Sequence, residues 1–181
     1  MAFAVGADLD ISHGVTTIVA KLFALAGPCH AFFGRKDFQQ LRVIQRMTVD
    51  SMLPVEVIGC PIVREPDGLA LSSRNRYLSE DERARALGIV RGLARADHAY
   101  RGGERDTRKL VELVRGSIGE SSLREDYVEL RSATDLTTPD GELLPSSTEW
   151  ALLVAAFCGA TRLIDNVILG ADVLPVTGVS S

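Results

Sequence analysis

The 181 residues suffice for one domain or two small ones, and 46% hydrophobic with 24% charged content specifies a packed core. A net charge of -4 and a pI near 5.4 argue against a general nucleic-acid binder, which needs a basic face. The three cysteines, Cys29, Cys60 and Cys158, are far apart and form no Cys-x-x-Cys pair, so neither a disulfide framework nor a zinc site is indicated.

Residues 1–12 carry little pattern, with Asp8 and Asp10 breaking the apolar run, and read as a frayed lead-in. They lack the basic start and apolar core of a signal peptide, and no apolar run reaches the ~18 residues of a membrane span. The cytoplasm is the expected compartment, without a membrane partner. From residue 14 to 26 the set Val15, Ile18, Val19, Leu22, Phe23 and Leu25 recurs at helical spacing, and Gly27-Pro28 stops it. Residues 30–33 form a short buried strand. Gly34-Arg35-Lys36-Asp37 follows, then a helix from 38 to about 52 with Leu41, Ile44, Met47 and Val49 on its apolar side. Asp37 is the expected N-cap. A helix N-terminus after a Gly-basic turn suits phosphate, although a plain strand-to-helix turn also favours Gly and Asp.

Residues 55–60 are a second strand, and the alternation of helix and strand indicates a parallel sheet. The following stretch, 61–78, is a loop that leaves a strand and enters a helix, where open α/β sheets bind ligands. It carries the hydroxyls of Ser72 and Ser73 and the guanidinium groups of Arg64, Arg74 and Arg76, all suited to phosphate oxygens. The alternative is a solvated loop with a turn at Asp67-Gly68.

Composition changes after Leu78. Ser79 with Glu82 has the pattern of a capping box, and the helix it opens runs to about residue 100 with Ala86, Ile89, Val90, Leu93 and Ala96 inward. A second helix over 106–118 turns Leu110, Leu113 and Val114 inward. Strands are expected at 127–131, 150–157 and 161–169, paired antiparallel, with 132–149 as loop. The expected domains are therefore 1–78, α/β with a parallel sheet; 79–170, a small α+β domain of two helices and an antiparallel sheet; and 171–181, a disordered tail. Cys60 and Cys158 lie in apolar runs and read as buried thiols. His98 reads as surface, Trp150 as core or interface, Asp165-Asn166 as structural, and Lys21 as snorkelling to solvent.

Several stretches together resemble the pantothenate synthetase (pantoate–β-alanine ligase) family. They are Gly14-Val15-Thr16-Thr17-Ile18-Val19-x-Lys21-Leu22-Phe23, Phe33-Gly34-x-Lys36-Asp37-Phe38-Gln39-Gln40-Leu41, Val63-Arg64-x-x-Asp67-Gly68-Leu69-Ala70-Leu71-Ser72-Ser73-Arg74-Asn75-x-Tyr77-Leu78, and Arg162-Leu163-Ile164-Asp165-Asn166. The resemblance implies that the first part is a remnant of a Rossmann-like nucleotide-binding sheet. It implies an ATP-dependent ligase, with Mg2+ accompanying the ATP, that condenses pantoate with β-alanine through a pantoyl adenylate. Carried over by motif, Gly34, Arg35, Lys36, Asp37, Val63, Leu71, Ser72, Ser73 and Arg74 line the ATP site. Lys36, Ser72, Ser73 and Arg74 take the catalytic role, and Gln40 hydrogen-bonds pantoate.

The chain also departs from the family. The His-x-x-His pair that holds the ATP phosphates is absent, as is a glutamine for pantoate and β-alanine. Ile11-Ser12-His13-Gly14-Val15 stands where the family has His-Phe-x-Gly-Val, so no role passes to His13. Arg35 replaces a family glutamate. A first part with so few strands would leave an open edge and an uncovered apolar helix face. A homodimer or a complementing N-terminal half is the expected partner. The alternatives are a truncated non-catalytic paralogue or one subunit of a split enzyme.

Overall fold

A computed structural model describes the backbone of residues 9–175, with side chains from residue 14. What the sequence suggested for residues 1–8 and 176–181 lies outside the described residues. The chain divides into two compact units, Met1–Ile62 and Val63–Ser181.

The first unit opens with α1 (Leu9–Ala26), which begins earlier than its apolar pattern indicates. Gly27 ends it at φ +69°, and its N–H donates to Phe23 O at 3.1 Å. Strand β1 (Cys29–Gly34), a 3-10 turn (Arg35–Asp37), α2 (Phe38–Asp50) and β2 (Val55–Cys60) follow. β1 and β2 pair in parallel, with Phe33 opposite Gly59. Phe23, Ile44 and Val55 form the core, and Phe23 meets Phe33 edge to face at 6.3 Å. Ile44 is completely buried, which contributes about 2–3 kcal/mol. Gln45 Nε2 donates to Val57 O at 3.1 Å and fastens α2 to β2.

The helix patterns over-predict this core. Ile18, Leu22 and Leu25 of α1 are exposed, because α2 and the small sheet together cover only the arc that carries Val15, Val19 and Phe23; Val49 of α2 is exposed too. Phe32 on β1 is exposed as well. Among the described residues β1 pairs only with β2, so its outer edge is open. Cys60 is half-buried rather than buried.

The second unit starts with a tight hairpin over residues 63–71, in which Leu71 N–H donates to Val63 O at 2.9 Å and Glu65 N–H to Leu69 O at 2.8 Å. A 3-10 helix (Ser73–Tyr77) leads to α3 (Glu80–Arg101), α4 (Thr107–Glu120), β3 (Arg124–Ser132), β4 (Trp150–Cys158) and β5 (Thr161–Ile168). The three strands form an antiparallel sheet in the order β3-β4-β5. The expected mixed α/β class, parallel pair first and antiparallel sheet second, is the observed one.

Ser79 caps α3 in a reciprocal capping box with Glu82, and the inward residues read from the sequence, Ala86, Ile89, Val90, Leu93 and Ala96, are all buried. α3 and α4 approach closely because Gly88 and Gly92 face Ser117, Ser121 and Val114. Ser117 Oγ donates to Gly88 O at 2.8 Å across the contact.

Packing assigns the hairpin to the second unit, so the units part between Ile62 and Val63, earlier than the boundary expected at residue 78. Leu69 enters the second core, and Arg64 binds β5. Residues 171–175, expected as part of a disordered tail, fold back instead. Leu174 joins the core, and Arg101 donates to Asp172 O at 2.7 Å. Ser132, expected to open the loop, ends β3 instead; residues 133–149 are loop, yet they bury Leu136 and Leu144.

Candidate functional site

The sequence-predicted site residues fall in two groups, one in each unit. In the first, Gly34 ends β1 in extended backbone and the 3-10 turn carries Arg35, Lys36 and Asp37 directly into α2. Gln40 stands in the first turn of α2. Lys36 keeps only 17% of its side chain exposed, with its Nζ 3.6 Å from Asp37 Oδ2. The aliphatic stem of Arg35 lies over Gly59, where a Cβ would come within 3.3 Å of Arg35 Cγ and 2.8 Å of Leu41 Cδ2. Glycine at position 59 therefore lets the turn settle on β2.

Asp37 does not cap α2, contrary to expectation: its side chain accepts no hydrogen bond from the helix start. A capping residue needs extended backbone, and Asp37, at φ -91° and ψ 63° after the 3-10 turn, does not have it. What the connection offers is a lysine whose side chain is largely buried, one amide side chain and the backbone N–H groups of a helix start, groups suited to an anionic ligand.

In the second unit the hairpin and the 3-10 helix hold Val63, Leu71, Ser72, Ser73 and Arg74. Val63, Leu71, Ser73 and Arg74 are exposed, and Ser72 is half-buried with its Oγ accepting from Arg74 N–H at 3.3 Å. This hydrogen bond caps the start of the 3-10 helix.

Arg64, read from the sequence as one of three phosphate-seeking guanidinium groups, points the other way. It donates to both carboxylate oxygens of Asp165, at 2.7 and 3.0 Å, and to Gly68 O at 3.1 Å. Its side chain is 12% exposed and that of Asp165 3%. Arg64 is thus the strut of the hairpin, and Asp165 has the structural role read for it. Arg76 lies over the Tyr77 ring and donates to its hydroxyl at 2.8 Å. Arg74 and Arg76 are both exposed, Arg76 against its neighbouring ring.

Sequence reasoning missed the polar layer beneath this segment. Asn75 Nδ2 donates to Glu65 Oε1 at 2.6 Å and to Ala70 O at 3.0 Å. Arg83 of α3 donates to Glu65 and, at 2.7 Å, to Asp67 Oδ2. The Asn75 amide and then the Arg83 guanidinium hold the Glu65 carboxyl below its ordinary range. Asn75 and Asp67 stand in the stretch 63–78 that carries the resemblance, but no local pattern pairs these groups, because Asn75 and Arg83 lie 10 and 18 positions from Glu65 and meet it through the hairpin. Among the described residues no cluster of three or more His, Cys, Asp or Glu is arranged for a metal ion.

Residues 10–168 match the family model described as Pantoate-beta-alanine ligase. The chain is 51% identical over 156 residues to Pantothenate synthetase 1 of Bradyrhizobium diazoefficiens, covering 86% of this chain and 54% of that protein. It is 51% identical over 159 residues to a pantothenate synthetase of Myxococcus xanthus, covering 88% and 54%. A crystal structure of the Thermus thermophilus enzyme superposes with a TM-score of 0.76 at 37% identity, over 86% of this chain and 55% of that one. A pantoate-beta-alanine ligase from Francisella tularensis, complexed with beta-gamma ATP and beta-alanine, superposes at 0.61 and 25% identity, over 88% and 51%. The chain thus spans about half the length of the curated relatives it matches.

Proposed function

The chain belongs to the pantoate–β-alanine ligase family, and on that ground we propose that it carries phosphate- and pantoate-binding elements of an ATP-dependent ligase. In the proposed reaction the pantoate carboxylate attacks the α-phosphorus of ATP and releases pyrophosphate, leaving pantoyl adenylate. The amine of β-alanine then displaces AMP from the acyl carbon, loses a proton, and gives pantothenate.

Lys36 and Arg74 are the proposed cations that offset charge on the α-phosphate and the departing pyrophosphate, and Ser72 and Ser73 donate hydroxyl hydrogen bonds to the same oxygens. Gly34, Arg35, Asp37 and Leu71 line the nucleotide, Val63 meets adenine through its backbone, and Gln40 donates to pantoate. Magnesium, which favours phosphate oxygens and retains its own waters, would arrive with the nucleotide rather than on a protein cage. The observation that carries the reading is the hairpin. A buried ion pair fixes its inner side while Ser73 and Arg74 face solvent at its end.

Calorimetry of MgATP against the full chain tests this. Binding that Lys36→Ala weakens, and that Ser72→Ala with Ser73→Ala weakens, is the expected result. A folded chain that binds no MgATP overturns the reading for the chain alone and favours a non-catalytic interaction module.

One observation favours a partner. Ile18, Leu22 and Leu25 form an exposed apolar face along one side of α1, and β1 has an open edge among the described residues and an exposed Phe32. Such a face calls for cover. A complementing N-terminal half, as the second subunit of a split enzyme, or a second copy of the chain provides it. Sedimentation distinguishes these: a stable dimer supports the homodimer, and a monomer whose MgATP affinity rises on adding a complementing half supports the split enzyme.

A further inference from the structure

We infer that Asn75 is a positioning residue whose side-chain amide fixes the Ser72-Ser73-Arg74 segment on the hairpin beneath it. The fixing is a property of the second unit by itself. Its consequence for phosphate rests on the nucleotide reading above.

Asn75 is 6% exposed although its neighbours Arg74 and Arg76 are both exposed. A buried amide in an exposed segment is costly unless its donors are used. Both Nδ2 hydrogens are used, on Glu65 Oε1 and Ala70 O. These acceptors stand on opposite strands of the hairpin, so one amide ties the 3-10 helix to both. Glu65 is itself held by Arg83 of α3, which also holds Asp67 at the hairpin turn. The segment's other hydrogen bonds are local: Ser72 Oγ with Arg74 N–H, and Ser72 O with Asn75 N–H at 3.0 Å. Without the amide, Ser72, Ser73 and Arg74 would keep a turn but lose its hydrogen-bonded tie to the hairpin.

The other end of the same side chain supports the assignment. Asn75 Oδ1 is buried and accepts no hydrogen bond from the described residues. Among the described residues, only its two donor hydrogens tie the side-chain amide in place. Only an amide supplies both hydrogens. Aspartate has the same shape but would set a carboxylate against the Glu65 carboxylate and the Ala70 carbonyl, all of them acceptors.

The test uses the full chain with Asn75→Asp. Hydrogen exchange read by mass spectrometry should rise about tenfold in a peptide spanning residues 70–78, the size expected for losing a hydrogen bond to a charged group. Peptides from β3, β4 and β5 should not change. Adding Glu65→Gln returns an N–H donor to the Asn75→Asp carboxylate while Oε1 can still accept from Arg83, so part of the protection should return. MgATP affinity should fall by about tenfold in the single variant and recover in part in the double.

Unchanged exchange at 70–78, or loss of protection throughout β3–β5, would overturn the assignment, as would no recovery with Glu65→Gln. If the unsubstituted chain binds no MgATP, the nucleotide reading fails while the exchange result still decides the role of Asn75. If the chain binds MgATP and Asn75→Asp frees the segment without weakening binding, the segment's placement does not govern phosphate.

Discussion

Removing Arg64 with Arg64→Ala leaves the Asp165 carboxylate buried without its bidentate partner, and Gly68 O without the donor 3.1 Å away. Breaking a buried pair from one side costs about 3–5 kcal/mol. Asp165 Oδ1 still accepts from Asn166 N–H at 2.8 Å, which places the expected loss at the lower end, about 3 kcal/mol. For a unit of this size that lowers the melting temperature by roughly 12 °C. Asp165→Ala, which strands the guanidinium, should cost a similar amount. The double substitution Arg64→Met with Asp165→Leu strands neither charge, and its loss should be smaller than either single one by about 2 kcal/mol. Urea and thermal unfolding followed by circular dichroism measures all three. Single losses under about 1 kcal/mol, or losses that simply add in the double variant, would refute the claim that this pair is desolvated and coupled.

Three further outcomes follow from the second unit. Ser79→Ala should cost about 1 kcal/mol in urea unfolding, because it removes the acceptor for Glu82 N–H in the capping box; no change would deny the cap a role. Gly88→Ala places a methyl group into the Ser121 side chain and within 3.1 Å of Ser117 O, so a melt should show about 1–3 kcal/mol of loss, partly recovered by Ser121→Gly. Glu65 is held below the ordinary glutamate range by Asn75 and Arg83, so its contribution is present above the unfolded-state value and disappears as pH falls through the lower folded value. Urea midpoints taken across the acid range should therefore decline below about pH 4, and Glu65→Gln should flatten that decline.

Which parts of the chain were legible depends on where their information lies. Helix α3 was read nearly to the residue because its cap, its inward stripe and its terminal glycines are local, with each residue's partners within a turn or two. The strands of the second sheet were legible for a related reason: β4 is buried along almost all its length and reads as an unbroken apolar run. The same apolar periodicity misled on α1. Periodicity reports which face could be buried, and the small parallel sheet covers only part of it. The turns that carry the candidate residues were legible, since Gly, Lys and Ser-rich turns are local chemistry. Their orientation was not. Three arginines in one loop carry the same charge and donors, yet one is folded in, one lies on a ring and one faces water.

The sequence by itself determined the helices, the strands, their parallel or antiparallel order and the family motifs, because propensity, capping and hydrophobic period act between near neighbours. Tertiary structure alone decided that Arg64 serves Asp165, that Asp37 leaves α2 uncapped, and that the hairpin belongs with the second unit. Tertiary structure also placed Asn75 beneath the Ser72-Ser73-Arg74 segment. Asp165 is 101 positions from Arg64 in the chain, and no local pattern records which distant carboxylate a buried guanidinium will meet.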